Sequence, residues 1–167
     1  MSESGVLFIV SSPSGGGKTT LIREVISRLA ARGIRAHFSV SHTTRLKRPA
    51  ETDGIDYHFV DRAAFDAMVQ RGQFLEWAEY NGNLYGTARA EVEPRLAEGW
   101  DVFLDIEVQG ATQVKTAVPE VVKVFVYPPT YEVLKQRLTD RRQDAPDAIR
   151  QRLRWAMREL GVAGEFD

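Results

Sequence analysis

Residues 5–20 read GVLFIVSSPSGGGKTT, and this stretch decides the fold. The apolar run at residues 6–10 predicts a buried strand, and the following pattern LIREVISRLAAR predicts an amphipathic helix. A Gly-rich turn between a strand and a helix is the setting of a P-loop, whose backbone N–H groups hold nucleoside triphosphate phosphates. The residues predicted to form this phosphate site are Ser14, Gly15, Gly16, Gly17, Lys18, Thr19 and Thr20.

Two side chains of this loop would carry specific roles. Lys18 would contact the β- and γ-phosphates, and the Thr19 hydroxyl would ligate Mg²⁺. Ser12 stands where the pattern G-x-x-x-x-G-K-[ST] has its first glycine, so that turn must accept a backbone conformation suited to serine. The alternative is a Gly-rich loop with an incidental lysine; the Gly-Lys-Thr run with both correct flanks favours a site for ATP or GTP.

Composition limits the remaining possibilities. A chain of 167 residues with 43% hydrophobic and 27% charged residues is expected to form one core with insertions. The net charge of −1 gives no overall electrostatic attraction to nucleic acid or to an anionic membrane. The absence of cysteine excludes disulfides and thiolate metal sites. With a polar N-terminus and no apolar run of transmembrane length, we expect a cytoplasmic protein.

Alternating strand and helix patterns predict an α/β fold with a mainly parallel sheet flanked by helices. The predicted strands are residues 5–10, 36–40, 101–106 and 121–127, and the predicted helices are 17–32, 107–117, 130–140 and 145–160. Thr130 and Asp144 are candidate helix caps. Between residues 41 and 95 the pattern becomes mixed, with a hairpin turn predicted at Asn81–Asn83, which indicates a small insertion over the core.

A basic loop follows the second predicted strand. Arg45 and Arg48 lie three residues apart beside hydroxyl side chains, and planar guanidinium groups bind phosphate bidentately. Tyr57 and Tyr85 could add phenolic donors. A solvated basic loop is the alternative. Next to a P-loop, however, a clamp for a second anionic substrate is favoured, because phosphoryl transfer needs both substrates held in line.

Acidic side chains provide two further candidates. Strand alternation would put Glu76 on one face with Phe74 and Ala78, as for a carboxylate that binds a base. Asp105 ends an apolar strand, where ligands of open α/β sheets bind, so it could hold Mg²⁺ or water. It could instead cap the next helix.

The segment 135–158 is rich in arginine. Arg137 and Arg141 lie four apart on one helical face and could close over the phosphates to neutralise transition-state charge. The arginines expected to be ordinary surface residues are Arg142, Arg150, Arg154 and Arg158. The three histidines, His37, His42 and His58, have no partners at metal-ligand spacing and are interpreted as structural or exposed.

Taken together, these motifs resemble guanylate kinases over nearly the whole chain. The matching stretches are SPSGGGKTT, SHTTRLKRP, ETDGIDYHFV, GQFLEWAEYNGNLYGT and LDIEVQGA, together with Arg137, Arg141 and Arg152. Many NTPases share a P-loop, whereas TTR-x-x-R-P followed by FLEW and YGT is far more specific. The resemblance implies phosphoryl transfer from MgATP to GMP, with these two small molecules as substrates and no nucleic acid or membrane partner.

The resemblance also implies roles for individual positions. Those implied to read guanine are Ser41, Glu76, Thr87 and Glu107, with Gly86 beside them. Those implied to hold the GMP phosphate are Arg45, Arg48, Tyr57 and Tyr85. The catalytic group implied to surround the moving phosphoryl group is Lys18, Arg45, Arg137, Arg141 and Arg152, with Asp105 near Mg²⁺.

The same resemblance implies a division of the chain. It comprises a P-loop core (1–40 and 96–136), a GMP-binding insertion (41–95), an Arg-bearing lid (137–152) and a C-terminal core helix (153–167). Glu107 stands where aspartate is common in the family, and the sequence ends at Asp167, where a further core strand is expected to begin.

Two other functions are considered. One is a P-loop kinase for another phosphorylated small molecule, which would not need the carboxylates of Glu76 and Glu107. The other is a non-catalytic guanylate-kinase-like module that binds phosphopeptides. Such modules typically have degraded P-loops, whereas Lys18 and Thr19 are both present here.

Overall fold

The structure is a computed structural model of the chain and describes residues 4–13, 16–140 and 146–167. The elements of these residues are, in chain order, β1 (Leu7–Ser11), α1 (Lys18–Ala31), β2 (Ala36–Phe38), β3 (His42–Thr43), β4 (His58–Phe59), α2 (Arg62–Gln70), β5 (Phe74–Tyr80), β6 (Asn83–Ala88), α3 (Arg89–Ala97), β7 (Asp101–Asp105), α4 (Val108–Ala117), β8 (Val122–Phe125), α5 (Tyr131–Asp140) and α6 (Pro146–Gly161), followed by a 3₁₀ turn (Ala163–Glu165). The predicted α/β class is confirmed.

A four-stranded parallel sheet in the order β2-β7-β1-β8 forms the centre of the fold. Strand β1 reads as an apolar run because both its neighbours are strands and helices cover the sheet, which leaves Ile9 fully buried. All four strands point the same way, so their carboxyl ends meet at one edge. The P-loop follows β1 at that edge, and Asp105 ends β7 beside it.

The second sheet has the order β4-β3-β6-β5 and is mixed, with β3 parallel to β4 and antiparallel to β6. Strands β5 and β6 form the predicted hairpin. Its turn places Asn81 at φ 50° and Gly82 at φ 74°, and these left-handed conformations are the ones that Asn-Gly pairs adopt at low cost. The hairpin carries Glu76 on one strand and Thr87 on the other.

Simple alternation along β5, expected from the sequence, is wrong at its start. A β-bulge between Phe74 and Glu76 inserts Leu75 as an extra residue. Phe74 therefore packs on Phe65 of α2, as does the Trp77 ring, whereas Leu75 enters the core beneath the parallel sheet. The bulge leaves Glu76 directed at α4 and not at the cluster around Phe74.

Helix α3 was not predicted, because Pro94 inside it removes a helical hydrogen bond and lowers the local propensity. Tertiary packing outweighs that cost, since Val92 is buried in the core against β7. Two other local predictions are confirmed: the Thr130 hydroxyl accepts a hydrogen bond from the Val133 N–H at the start of α5, and α6 begins near residue 145. Asp144 lies outside the described residues.

Candidate active site

A cleft of about 280 Å³ lies between the carboxyl edge of the parallel sheet and the second sheet. The predicted site residues that line it are Lys18, Ser41, Arg45, Arg48, Tyr57, Glu76, Tyr85, Gly86, Asp105, Glu107 and Arg152. They come from segments more than 130 residues apart, so the fold assembles them. Basic groups, phenols and carboxylates thus surround one cavity of a size that suits a small ligand.

Asp105 joins two P-loop side chains at one end of the cleft. Its Oδ1 lies 3.2 Å from Lys18 Nζ, and its Oδ2 accepts a 2.6 Å hydrogen bond from the Thr19 hydroxyl. The alternative role of Asp105 as a helix cap is wrong, because Glu107 occupies the N-cap position of α4. A threonine hydroxyl and a carboxylate are the oxygen donors that Mg²⁺ prefers, so these two residues fit that ion.

The P-loop turn accommodates Ser12 where the motif has glycine. Ser12 is almost fully buried, and its Oγ donates to the Pro13 carbonyl at 3.0 Å. A Cβ on Gly16 would lie 2.4 Å from that Oγ, so this tight turn has room only for glycine at position 16. Thr20 is exposed in the first turn of α1. Ser14 and Gly15, also predicted for this site, lie outside the described residues.

Arg45 also lines the cleft, where its guanidinium is held by several partners. Its Nη1 and Nη2 donate to the two carboxylate oxygens of Glu51 at 3.1 and 2.7 Å. Its guanidinium also lies over the rings of Tyr57 and Phe59, at 5.4 and 5.7 Å from their centroids. Arg48 is more exposed, with 56% of its side chain accessible. The two arginines share one side of the cavity with the phenols.

Two phenols, those of Tyr57 and Tyr85, lie beside Arg45. Burial raises the pKa of Tyr57 to about 12, and the nearby charge of Asp105 adds to this effect. Tyr57 and Tyr85 pack edge to face with ring centroids 6.0 Å apart. Both hydroxyl groups line the cavity, and a tyrosine hydroxyl can donate to an anion.

Glu76 is the most deeply buried carboxylate of the site, with 5% of the residue exposed. Its Oε1 accepts a 2.6 Å hydrogen bond from the Thr87 hydroxyl, and Thr87 is fully buried behind the cleft. Burial raises the pKa of Glu76, and the hydrogen bonds from Thr87 only partly oppose this. Its Oε2 lies against Gly110 in the first turn of α4, where a Cβ would come within 2.6 Å.

Glu107 supplies a second carboxylate to the same cavity. It is the N-cap residue of α4, but its side chain makes no capping hydrogen bond, which leaves its oxygens available to a ligand. Burial raises the pKa of Glu107, while the charge of Lys18 lowers it. The carboxylate of the α4 N-cap residue, Glu107, and the carboxylate of Glu76 therefore line one cavity.

Two functional positions were missed by sequence reasoning. Glu51 was not assigned because its partner Arg45 is six residues away across a turn, a spacing with no helix or strand signature. Gln113 of α4 exchanges two hydrogen bonds with the backbone of Trp77, at 2.8 and 3.3 Å, and so fixes β5 on α4 next to Glu76. The sequence contains no local signal for that contact.

The predicted arginines of the C-terminal third are distributed as follows. Arg137 donates from Nη1 to the Gly16 carbonyl at 3.3 Å, and Arg152 of α6 lines the cleft. Arg141 lies outside the described residues, as does Arg142. The expected surface arginines within the described part, Arg150, Arg154 and Arg158, are exposed.

The histidines lie away from the cleft, at the junction of the two sheets. His37 Nε2 is 3.2 Å from Glu91 Oε2, and His58 Nε2 is 3.9 Å from Glu91 Oε1, a partner that sequence spacing did not indicate. Among the described residues, no group of three or more His, Cys, Asp or Glu side chains could hold a metal ion. Within the same residues, no helix combines the length and apolarity needed to cross a membrane.

Comparison with known proteins gives a consistent family. The family model "Guanylate kinase" matches residues 4–167. The guanylate kinase of Dechloromonas aromatica is 46% identical over 164 residues, which are 98% of this chain and 79% of that protein. A guanylate kinase of Thermus thermophilus is 50% identical over 163 residues, covering 98% of this chain and 72% of that protein. The crystal structure of guanylate kinase from Anaplasma phagocytophilum matches 99% of this chain and 75% of its own, with a TM-score of 0.74 and 32% identity.

Proposed function

The chain belongs to the guanylate kinase family and phosphorylates GMP at the expense of ATP, and we propose that the cleft between its two sheets is the catalytic site. The observation that carries the proposal is that two carboxylates, the buried Glu76 and the more exposed Glu107, share one cavity with Arg45 and Lys18. A base-reading end, a phosphate-binding end and a P-loop are thereby combined in a single space.

Guanine fits the carboxylate end of the cleft. It presents N1–H and N2–H₂ donors, which Glu76 and Glu107 can accept, whereas adenine presents an acceptor at N1 that a carboxylate repels. The Thr87 hydroxyl and the packing against Gly110 hold Glu76 in place, so its oxygens are preorganised. A site built on buried hydrogen bonds can reject the wrong base by a factor of about 10⁴ or more. Ser41 and Gly86 line the same wall.

The GMP phosphate is proposed to bind at Arg45, Arg48, Tyr57 and Tyr85. Guanidinium forks hold a dianion bidentately, and the two neutral phenols donate without adding charge. All four side chains line the cavity that Lys18 also enters. This arrangement would bring the acceptor phosphate to face the P-loop.

The ATP phosphates are proposed to bind at the P-loop, with Mg²⁺ held by Thr19 and Asp105. When bound, Mg²⁺ neutralises charge on the transferring phosphoryl group. Lys18, Arg137 and Arg152 would contribute further positive charge, and Arg137 already contacts the P-loop at the Gly16 carbonyl. No general base is required, because phosphoryl transfer proceeds mainly by positioning and electrostatic stabilisation. Arg141 is part of the proposal by sequence position alone.

The proposed domains follow the sequence division, with residues 41–95 as the GMP-binding part and 137–152 as the lid. GMP and ATP are the proposed partners. A cytoplasmic location belongs to the same proposal, since both substrates are charged nucleotides that do not cross membranes unaided. Nothing observed in the described residues favours the phosphopeptide-binding module or a kinase for a different small molecule.

The test uses two variants, one expected to impair GMP binding and the other expected to impair the chemical step. Arg45→Gln should raise KM for GMP by about 10- to 150-fold, the value of a lost charge-assisted hydrogen bond of about 1.5–3 kcal/mol, and leave KM for ATP unchanged. Lys18→Gln should lower kcat and leave GMP affinity in equilibrium titration unchanged. If Arg45→Gln left KM for GMP at the wild-type value, or raised both KM values equally, the assignment of the two ends would be wrong.

A further inference from the structure

Glu51 is the centre of the loop that carries both phosphate-clamp arginines. Its carboxylate accepts from Nη1 and Nη2 of Arg45 and from the Arg48 backbone N–H at 2.8 Å. Its own N–H donates to the Arg48 carbonyl at 3.1 Å, and its carbonyl accepts from Lys47 Nζ at 2.9 Å. One residue therefore ties together the side chain of one arginine and the backbone of the other.

Counting donors shows which part of Arg45 remains for a ligand. A guanidinium has five N–H donors. Two go to the Glu51 oxygens, and Nη1 also donates to the Leu46 carbonyl at 2.8 Å. The donors not directed at Glu51 or Leu46 are Nε–H and one hydrogen of Nη2, which lie on one edge of the fork and together have the geometry to bind two oxygens of a phosphate.

Aromatic residues also surround the Arg45 guanidinium. Tyr85 lies within hydrogen-bonding reach of Arg45 and contributes to the raised pKa of its guanidinium, after the larger effect of Glu51. Tyr85 and Arg45 both line the cleft. The rings of Tyr57 and Phe59 lie beside the guanidinium and restrict its orientation further. Arg45 is thus fixed in one rotational setting before any ligand arrives.

We propose that Glu51 is a positioning residue for GMP, which acts through Arg45 and Arg48 and touches neither the base nor the phosphate. Glu51 binds the Nη1–Nη2 edge of the Arg45 guanidinium, so that the Nε–Nη2 edge is the one presented to the phosphate. Glu51 also closes the turn of residues 45–51, so that Arg48 faces the same anion. The inference rests on the proposed function, because it assumes that these two arginines bind the GMP phosphate.

The charge of Glu51 is part of this role. Hydrogen bonds from Arg45 hold the pKa of the Glu51 carboxyl below its usual range, so it stays ionised at neutral pH. Glu51 and Arg45 are both about five-sixths buried at the side chain, so this pair is not a fully solvated surface contact. Removing the charge would leave Arg45 with fewer acceptors and more orientations, and a clamp misplaced by about 1 Å can cost up to a hundredfold.

The test compares GMP with guanosine, which lacks only the phosphate, in equilibrium titrations of the full chain. Glu51→Gln keeps the shape but removes the charge and one acceptor. We expect it to bind GMP roughly tenfold or more weakly and guanosine as the wild type does. Glu51→Asp, which keeps the charge, should recover part of the GMP affinity. Glu24→Gln, which removes an exposed carboxylate paired with Arg28, is the matched control and should change neither affinity.

Each outcome decides the matter. Loss of guanosine and GMP affinity together would show a purely structural role for Glu51 and would overturn the inference, as would unchanged or tighter GMP binding. If the wild-type chain itself showed no preference for GMP over guanosine, the proposed phosphate clamp would fail instead, which separates the two hypotheses.

Discussion

Thr87 Oγ1 donates a 2.6 Å hydrogen bond to Glu76 Oε1, across the two strands of the β5–β6 hairpin. The β-bulge at the start of β5 directs Glu76 at α4, and Gly110 leaves room there for the second carboxylate oxygen. The carboxylate is therefore held from both sides in a place with little water. Burying this carboxylate lowers the stability of the free protein, because the charge loses its hydration. It strengthens ligand binding, because a hydrogen bond donated to a carboxylate is stronger where water is excluded.

Glu76→Gln tests this assignment directly. The amide keeps an acceptor for Thr87 but replaces the other acceptor with a donor, so it would oppose the N–H groups of guanine. We expect GMP binding to weaken by about 1.5–3 kcal/mol, measured by titration calorimetry. Glu93→Gln on α3 removes the same charge from an exposed position paired with Arg89 and should have little effect. Unchanged GMP affinity in Glu76→Gln would refute the guanine assignment.

Gly110→Ala should impair the same site from the helix side. The new Cβ would lie 2.6 Å from Glu76 Oε2, so the carboxylate must move. Alanine in a helix also adds about 1 kcal/mol of helix stability, so we expect GMP affinity to fall without a matching loss of thermal stability. Gly161→Ala, at the end of α6 with nothing within 4 Å of the added Cβ, is the control. Equal GMP affinity in both variants would mean that Glu76 need not occupy its observed position.

The pH dependence of stability has a defined sign. Because burial raises the pKa of Glu76 above its unfolded value, the native state binds more protons, and the contribution of this carboxyl to stability is present below its unfolded pKa and lost as the pH rises through the folded pKa. Glu76→Gln removes the ionisable group, so the variant does not lose this stability as the pH rises. In thermal melts, we expect the Tm of the variant to rise relative to that of the wild type as the pH increases above the unfolded pKa of glutamate, about 4.3. A Tm difference that stayed constant or shrank with rising pH would contradict the burial argument, and Glu24→Gln should show no such trend.

Asp105→Asn should act on the chemical step. The carboxylate contacts both Lys18 and Thr19, and the amide can replace neither the charge nor both acceptors. We expect kcat to fall by about 100-fold, with a shifted Mg²⁺ requirement and GMP affinity unchanged. Asp66→Asn, an exposed partner of Arg62, serves as control. A normal Mg²⁺ titration in Asp105→Asn would exclude this residue from the metal site.

Sequence reasoning predicted the P-loop side of the cleft because its signals are local. The P-loop glycines precede Lys18 directly, and Asp105 ends an apolar run, so spacing alone indicates the chemistry. The contacts it missed depend on tertiary structure. Glu51 meets Arg45 across an irregular turn, and Gln113 meets Trp77 between a helix and a strand 36 residues apart. Periodicity carries no information on such pairs.

The bulge in β5 shows the same limit in a strand. Alternation assigns faces correctly only if no extra residue intervenes, and Leu75 is such a residue. Helix α3 was missed for the opposite reason, because a local signal against helix at Pro94 was outweighed by burial of Val92. In both cases the tertiary packing of a buried side chain, Leu75 or Val92, outweighs the local sequence pattern, and the local pattern does not show this.

The proposed selection of guanine by this cleft, and its phosphorylation of GMP, can be tested in a single assay. ADP formation from ATP and Mg²⁺ would be measured on the 167-residue chain with GMP, AMP, CMP and UMP in parallel. We expect rapid turnover with GMP and a kcat/KM for AMP lower by about 10⁴ or more. Comparable turnover with AMP, or no turnover with GMP, would contradict it.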